Sequence, residues 1–311
     1  MGVLEVKNLR KNFDGVKAVD DVSFIVPEGA IYGLIGRNGA GKTTILRMIM
    51  NVFMPDSGEV LFNGDPAGEQ FRERTGYLPE ERGMYKKLKV LETILFFAEL
   101  KGKTGKAVEN EAIRFLKEFD LYDRRNSKIQ ELSKGNQQKI QFISTIIHDP
   151  DFIILDEPFS GLDPINTNLL KNIILEMKRR GKVIIFSTHL MEFAEKMCDH
   201  ITLIEKGKVI LSGNLSEIKT RFALRNITVA YDGDVSFLKN EPYVEHVEDF
   251  GKSIGIKVTD NKYVQDVLKS LLAHDVTIHS FMSNEITLHE IFVSLCGKDD
   301  VEVEIGGKSN G

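Results

Sequence analysis

The spacing of apolar residues predicts that strands and helices alternate along most of the chain. Three short runs are apolar throughout, which is typical of central strands in a parallel sheet that is covered on both faces. These runs are AIYGLIG at 30–36, FIIL at 152–155 and VIIF at 183–186. Because a helical pattern at 166–180 joins the last two runs, we predict a βαβ unit and an α/β core.

Shorter patterns extend this core on both sides. Alternating apolar and polar residues predict strands at 3–13, 22–26, 59–63, 201–205 and 208–211. A proline-glycine turn at 27–29 follows the second strand, and Gly207 lies between the last two, which we expect to form a hairpin. Helical spacing predicts a helix at 43–50 and a mostly helical region between 90 and 148.

The pattern changes near residue 221 and indicates a separate small domain. Strands are predicted at 226–231, 243–249, 254–258 and 276–281, and helices at 234–239, 261–273 and 286–295. The order βαββαβ plus a helix resembles a ferredoxin-like fold. We therefore predict a first domain at 1–220, a C-terminal α+β domain at 221–297 and a disordered tail at 298–311.

The composition excludes several classes of protein. The 311 residues are 42% apolar and 28% charged, which is ordinary for a globular protein that builds its core without disulfides or metals. Lysine and arginine number 41 against 46 aspartates and glutamates, and the net charge of −5 argues against a dedicated nucleic-acid binder. Two cysteines are too few for a disulfide framework. Because no run approaches the ~18 apolar residues of a membrane helix, we expect a cytoplasmic protein.

A glycine-rich segment between a predicted strand and a predicted helix indicates nucleotide binding. The segment GRNGAGKT at 36–43 matches G-x-x-x-x-G-K-[ST]. Such a loop points successive backbone N–H groups at an anion, and the following helix directs its positive end at the same point. We expect Lys42 to face the β- and γ-phosphates and the Thr43 hydroxyl to bind Mg²⁺. The candidate nucleotide-binding residues here are Gly36, Arg37, Asn38, Gly39, Ala40, Gly41, Lys42, Thr43 and Thr44.

Two carboxylates, Asp156 and Glu157, directly follow the apolar run FIIL. Open α/β sheets bind ligands at the carboxyl ends of their strands, so Asp156 is a candidate for the Mg²⁺ shell, directly or through water. Because side chains alternate along a strand, we expect Glu157 to point elsewhere, toward an attacking water as general base. The alternative is a polar strand end without chemistry, which the upstream phosphate loop disfavours.

Three further motifs lie on both sides of the acidic pair. LSKGNQQ at 132–138 precedes it, and SGLD at 160–163 and STH at 187–189 follow it. With the phosphate loop and the acidic pair, they resemble the nucleotide-binding subunit of ATP-binding cassette (ABC) transporters over residues 3–215. The strings GYLPEERGMY and LSKGNQQK resemble exporter cassettes for sodium or drug efflux. The resemblance implies a P-loop NTPase core with an antiparallel β subdomain and a helical subdomain at about 88–148.

The resemblance also implies roles for residues at matching positions. Phe13 matches an aromatic that stacks on adenine, and His189 matches a switch histidine near the γ-phosphate. Ser133, Gly135 and Asn136 match a signature that contacts nucleotide held by a second subunit. Asp163 matches an aspartate of the loop between subunits. One chain has one phosphate loop and one signature, so two chains are expected to enclose two nucleotides head to tail.

The chain departs from the family pattern at two places. In the usual signature LSGGQ, Lys134 and Asn136 here replace a glycine and a glutamine, while the serine and the second glycine remain. A loop that usually carries glutamine has Glu80 instead. A carboxylate binds Mg²⁺ more strongly than an amide, so Glu80 is a third candidate metal ligand beside Thr43 and Asp156. The alternative is a surface glutamate without a role.

The function implied by the resemblance is an ATP-hydrolysing subunit of an exporter, with ATP and Mg²⁺ as cofactors. Its implied partners are a transmembrane permease and a second ATP-binding subunit, without nucleic acid, at the inner face of the cell membrane. The alternative is a soluble cassette ATPase of translation or DNA repair, although such relatives usually carry two cassettes or a coiled-coil insertion. A sensor that binds without turnover is disfavoured because the candidate base, Glu157, is present.

Overall fold

The computed structural model describes residues 4–81, 83–222, 226–283 and 286–296. The chain divides after Leu215 into two compact units. The tail predicted at 298–311 lies outside the described residues.

Within the described part of the first unit, ten strands form two sheets. In chain order they are β1 (Leu4–Phe13), β2 (Val16–Val26), β3 (Ile31–Ile35), β4 (Ser57–Phe62), β5 (Asp65–Pro66), β6 (Thr75–Leu78), β7 (Phe152–Asp156), β8 (Val183–Thr188), β9 (His200–Glu205) and β10 (Lys208–Asn214). An antiparallel sheet has the strand order β2-β1-β4-β5. The larger sheet has the order β10-β9-β3-β8-β7-β6 and is parallel except for the edge strand β10.

Most helices of the first unit connect its strands, whereas three consecutive helices follow one another without a strand between them. They are α1 (Lys42–Ile49), α2 (Glu69–Glu73), α3 (Val90–Leu100), α4 (Lys106–Glu118), α5 (Lys134–Ile146), α6 (Pro164–Arg179) and α7 (Met191–Met197), and α8 (Leu215–Phe222) begins at the boundary between the units. Helix α3 packs against both α4 and α5, which confirms the helical region predicted between 90 and 148. Among the described helices, none combines the length and the apolar character needed to span a bilayer.

The core of the first unit surrounds α1, which lies between the two sheets. Leu4 of the antiparallel sheet, Ile45 of α1 and Phe152 of the parallel sheet belong to one buried cluster, and each is at most 1% exposed. Because α1 follows β3 directly, this packing fixes the loop between them at the carboxyl edge of the parallel sheet. The parallel pairing of β7 with β8 confirms the predicted βαβ unit.

The second unit is a four-stranded antiparallel sheet with helices. Its elements are β11 (Asn226–Asp232), β12 (Val244–Asp249), β13 (Ser253–Val258), α9 (Val264–Ala273), β14 (Thr277–Ser283) and α10 (Leu288–Cys296). The strand order is β12-β13-β11-β14, and all neighbouring strands are antiparallel. Strand β13 therefore lies between β11 and β12, and β11 lies between β13 and β14, although each of these pairs is consecutive in the chain. This arrangement is the split βαβ of a ferredoxin-like domain.

The structure differs from the predicted elements in several places. Strand β6 and helices α2 and α7 were not predicted, because elements of four to seven residues are too short to show a period. Strand β2 begins at Val16 rather than residue 22. The helix predicted at 234–239 is a single 3₁₀ turn at Ser236–Asn240. The Asp234 carboxylate accepts hydrogen bonds from the Ser236 amide and hydroxyl, which favours a tight turn over an α-helix.

Two adjacent leucines of α9 give a matched test of the second core. Leu271 is fully buried with Ile227 and Val267, whereas the Leu272 side chain is 62% exposed. Leu271→Ala is expected to lower the free energy of unfolding of the second unit by about 2–5 kcal/mol, since it leaves a cavity. Leu272→Ala is expected to change it by less than about 0.5 kcal/mol. Denaturant-induced unfolding of the full chain measures both, and equal losses would contradict this core assignment.

Candidate functional site

The glycine-rich loop between β3 and α1 has a backbone that only glycine permits at two positions. A Cβ on Gly36 would lie 2.2 Å from the backbone oxygen of Ile204. Gly41, the N-cap of α1, has a φ of 104°, and a Cβ there would lie 2.4 Å from the backbone oxygen of Ala18. The loop therefore curls tightly against β2 and the end of β9.

This loop forms one side of a cleft at the carboxyl edge of the parallel sheet. The cleft is lined by residues 38–44 together with Ala18, Glu80 and Glu157. Two carboxylates thus face the same space as the N-terminus of α1. Among the candidate nucleotide-binding residues, Gly36, Arg37 and Phe13 are not part of this lining.

Lys42 is buried and held by the loop that it terminates. Its Nζ donates hydrogen bonds to the backbone oxygens of Gly36, at 2.7 Å, and Arg37, at 3.2 Å. The same Nζ lies 3.2 Å from Glu157 Oε1 as an ion pair. Both side chains are less than 10% exposed, so each charge compensates the other in a region with little water.

Asp156 ends β7 and is almost inaccessible, with 1% of its surface exposed. Its Oδ1 accepts hydrogen bonds from the hydroxyls of Thr43, at 3.1 Å, and Ser187, at 2.5 Å. Burial raises the pKa of the Asp156 carboxyl, and these two hydrogen bonds oppose the increase. Its Oδ2 is buried and has no hydrogen-bond partner among the described residues.

Glu157 directly follows β7, which ends at Asp156. Its side chain points away from that of Asp156 as predicted, but the cause is a turn and not the alternation of side chains along a strand. Its φ is 49°, in the left-handed region, so a sharp turn directs the side chain. The backbone N–H of Glu157 donates to Ser187 Oγ at 3.0 Å, which fixes this turn to the neighbouring strand. Glu157 Oε2 lies 3.0 Å from Nδ1 of His189. The structure thus brings together the acidic pair and the candidate histidine.

Ser187 is a site residue that sequence reasoning missed. It is fully buried, and its hydroxyl both donates to Asp156 and accepts from the amide of Glu157. The signal was present in the STH motif, because Ser187 lies opposite Asp156 in the parallel register of β7 and β8. That register is not visible in one sequence.

Glu80 lies on an exposed loop, yet the loop is tied to two helices. The Nε2 of Gln141, on α5, donates to the backbone oxygens of Pro79, at 3.3 Å, and Glu81, at 3.2 Å. Arg47, on α1, forms an ion pair of 3.3 Å with the Glu81 carboxylate. Glu80 therefore lies between two anchored neighbours, and Gln141 is a second residue that sequence reasoning missed.

The signature residues and Asp163 lie at helix N-termini outside the cleft lining. Ser133 is the N-cap of α5, and its hydroxyl accepts from the amide of Asn136 at 3.3 Å. Gly135 lies against the backbone of Gly161, since a Cβ there would be 3.5 Å from that oxygen. Asp163 is the N-cap of α6, and hydrogen bonds from Asn166 lower the pKa of its carboxyl.

Phe13 is 44% exposed at the end of β1. Its ring packs edge-on against Phe53, with the centroids 5.6 Å apart, and Lys11 Nζ lies 5.5 Å from its centroid. The ring is therefore packed against Phe53 and partly exposed to solvent.

Comparison with known proteins finds a matching family model for each unit. A family model described as ABC transporter matches residues 19–160, and a second model, the C-terminal domain of ATP-binding proteins like DrrA1-3, matches residues 213–296. The chain is 38% identical over 295 residues to the uncharacterized ABC transporter ATP-binding protein YhaQ of Bacillus subtilis. That alignment covers 95% of this chain and 99% of the relative.

A more distant relative and a solved structure agree with this match. The Nod factor export ATP-binding protein I of Burkholderia lata is 29% identical over 301 residues, covering 95% of this chain and 97% of the relative. A structure described as the ATP binding subunit of an ABC transporter is 33% identical with a TM-score of 0.65. It covers 71% of this chain and 93% of that chain.

Fold and site together define an ATPase built on a phosphate-binding loop. The chain belongs to the family of ABC transporter ATP-binding subunits. It binds ATP and is an ATPase, as the resemblance in the sequence predicted. Subunits of this family dimerise and work with transmembrane permeases.

The buried ammonium of Lys42 gives a direct test of the phosphate loop. Lys42→Ala is expected to weaken ATP binding about 10- to 100-fold, because it removes a charged hydrogen-bond donor from the cleft. Equilibrium binding of a fluorescent ATP analogue measures the change. Lys206→Ala, which removes a lysine outside the cleft lining, is the control and is expected to retain wild-type affinity. Equal affinity in both variants would contradict the assignment.

Proposed function

We propose that this chain couples Mg²⁺-dependent ATP hydrolysis to export through a separate permease, with Glu157 as the base that activates water. The observation that carries this proposal is the arrangement of Glu157, which lines the cleft and contacts both Lys42 and His189. A carboxylate beside a phosphate loop can accept the proton of an attacking water.

In this proposal, His189 and Lys42 orient Glu157 from opposite oxygens. With a proton on Nδ1, His189 donates to Glu157 Oε2, while Lys42 lies beside Oε1. Two contacts of this kind hold the carboxylate plane in a fixed orientation. ATP enters beside Lys42, and its phosphates offer the ammonium an alternative partner. The Glu157 carboxylate is then freer to receive a proton.

The residues near Asp156 suit a magnesium ion bound beside phosphate. Asp156 Oδ2 is buried without a protein partner among the described residues, and the Thr43 hydroxyl is bonded to the other oxygen of the same carboxylate. The described residues gather no group of three or more His, Cys, Asp and Glu that could hold a metal alone. Mg²⁺ usually takes one or two carboxylates and completes its shell with water and substrate phosphates.

Thr43, Asp156 and Glu80 would hold the ion. When bound, Mg²⁺ would neutralise part of the negative charge of the phosphates. Glu80 supports this assignment because it lines the same cleft as Thr43.

We further propose that each site is completed by the signature of a second subunit. Ser133, Gly135 and Asn136 lie outside the lining of the chain's own cleft. Ser133 caps a helix of 13 residues, and a helix N-terminus attracts an anion. A head-to-tail dimer would bring this end to the partner's γ-phosphate, with Asp163 in the loop between the subunits.

In this proposal, the chain works at the inner face of the cell membrane with a permease, and a relative named for Nod factor export supports export as the direction. The proposed docking surface runs from Glu80 into the helical subdomain. Tyr85 supports it, since its ring is 56% exposed and packs edge-on against Phe96 with the centroids 5.4 Å apart. A role in translation or DNA repair is not favoured by these relatives.

Replacing the proposed base separates binding from turnover. Glu157→Gln keeps the size and the Lys42 neighbour but cannot accept a proton at neutral pH. Turnover is expected to fall at least about 100-fold, while ATP affinity stays within a few fold. Steady-state phosphate release and nucleotide binding measure the two effects. Turnover close to that of the wild type would exclude Glu157 as the base.

Mixed dimers test whether the signature acts on the partner's nucleotide. Ser133→Glu places a negative charge toward phosphate but keeps a side chain suited to a helix N-terminus. Mixed equally with Lys42→Ala subunits, it is expected to restore roughly a quarter of wild-type activity, since half of the dimers are mixed and each has one intact site.

The doubly substituted chain is the control for this experiment. In a dimer with the wild type, a subunit carrying both Ser133→Glu and Lys42→Ala leaves no complete site if the signature acts in trans. If the signature acts within its own chain, the wild-type subunit keeps its activity. Activity in these control dimers, together with none in the first mixture, would refute the shared site.

A further inference from the structure

Helix α5 connects the signature, at its N-terminus, with the loop that carries Glu80. Its N-cap, Ser133, belongs to the signature, and Gln141 lies about two turns further along the same helix. Since Gln141 contacts the Glu80 loop, residues 79–81, one rigid helix joins the signature to a candidate metal ligand.

The contact from Gln141 is specific to the backbone on both sides of Glu80. Its Nε2 donates to the oxygen of Pro79 and to the oxygen of Glu81, which uses both amide hydrogens. Gln141 is 8% exposed, so water competes little for these hydrogen bonds. The Glu80 side chain takes no part in the contact and stays free to face the cleft.

Neither a leucine nor a glutamate at position 141 would make this contact. A leucine fills a similar volume but leaves the oxygens of Pro79 and Glu81 without their donor. A glutamate has no donor when ionised and would face two carbonyl oxygens with a negative charge. The amide of Gln141 therefore supplies donors that neither of these side chains could replace.

We infer that Gln141 is a positioning residue, which fixes Glu80 to the signature helix so that the two move together. The inference rests on the proposed function, because Glu80 matters only if it acts in the ATP site. Its consequence is a link between two nucleotides of a dimer. If the partner's nucleotide displaced the N-terminus of α5 at Ser133, Gln141 would move the Glu80 loop with the helix. The distance between Glu80 and a Mg²⁺ ion bound in the same chain would then change.

The first experiment measures the contact itself and needs no turnover. Gln141→Leu is expected to speed hydrogen exchange in the peptide spanning residues 78–83 by about three- to tenfold in the nucleotide-free protein, because the loop opens more readily without its two hydrogen bonds. The amide of Gly83, which donates to the oxygen of Glu81 at 3.0 Å, is the reporter.

A matched control lies one turn earlier on the same helix. Gln137 also donates its amide to two backbone oxygens, those of Ile129 and Leu132, which belong to a different segment. Gln137→Leu therefore removes the same chemistry from α5 without touching the Glu80 loop. It is expected to leave exchange at residues 78–83 unchanged.

The second experiment measures the consequence for the metal. Gln141→Leu is expected to raise the Mg²⁺ concentration for half-maximal hydrolysis about fivefold. Glu80→Gln is expected to raise this concentration as well. In the double variant, the increase should be smaller than the product of the two single increases, because both substitutions act through the Glu80 carboxylate. Gln137 lies in the signature segment 132–138, so Gln137→Leu is the control for the exchange experiment alone.

The outcomes separate this inference from the proposed function. Unchanged exchange at residues 78–83 in Gln141→Leu, or equal changes in Gln137→Leu, overturns the inference whether or not the protein hydrolyses ATP. Multiplicative effects of Gln141→Leu and Glu80→Gln on the Mg²⁺ requirement overturn it as well. A wild-type chain without hydrolysis would instead refute the proposed function, and the exchange experiment would still decide on the Gln141 contact.

Discussion

The parallel register of three buried strands is the constraint on which the site depends. Ile35 of β3 lies opposite Thr188 of β8, and Ser187 of β8 lies opposite Asp156 of β7. The phosphate loop, the histidine and the acidic pair therefore start at the same edge and at the same level. A slip of one residue would turn the Ser187 side chain to the other face of the sheet and remove its contact with Asp156. Packing of α1 between the two sheets holds this register.

The sequence predicts most of the fold because long periodic segments dominate it. The central strands, the helix at 166–180 and all four strands of the second unit were predicted close to their observed positions. Short elements such as β6 were not, because four residues carry no readable period. In the site, the phosphate loop and the acidic pair are visible as motifs. Ser187 and Gln141 are not, because their partners are 31 and about 60 residues away in the chain.

The polar groups of the site form a compact network, in which the lysine and the two carboxylates are buried and His189 is exposed. Asp156 and Glu157 are next to each other in sequence, yet they have different partners: hydroxyls for Asp156, and a lysine and a histidine for Glu157. This difference follows from the left-handed turn at Glu157, which separates the two carboxylates. Because Lys42, Asp156 and Ser187 are buried, their contacts orient the two carboxylates more strongly than they would at the surface.

The contacts of Lys42 have a consequence for the affinity of the loop for phosphate. Its ammonium already has three oxygen partners: two in its own loop and one on Glu157. A nucleotide that takes this ammonium must replace existing contacts, so its arrival is an exchange of partners and yields less net affinity than a vacant cation would give. When the phosphate leaves, the same oxygens can accept the ammonium again, so its charge stays compensated. The affinity of the loop for phosphate is therefore a difference between two sets of contacts, those of Lys42 with phosphate and those with the protein oxygens.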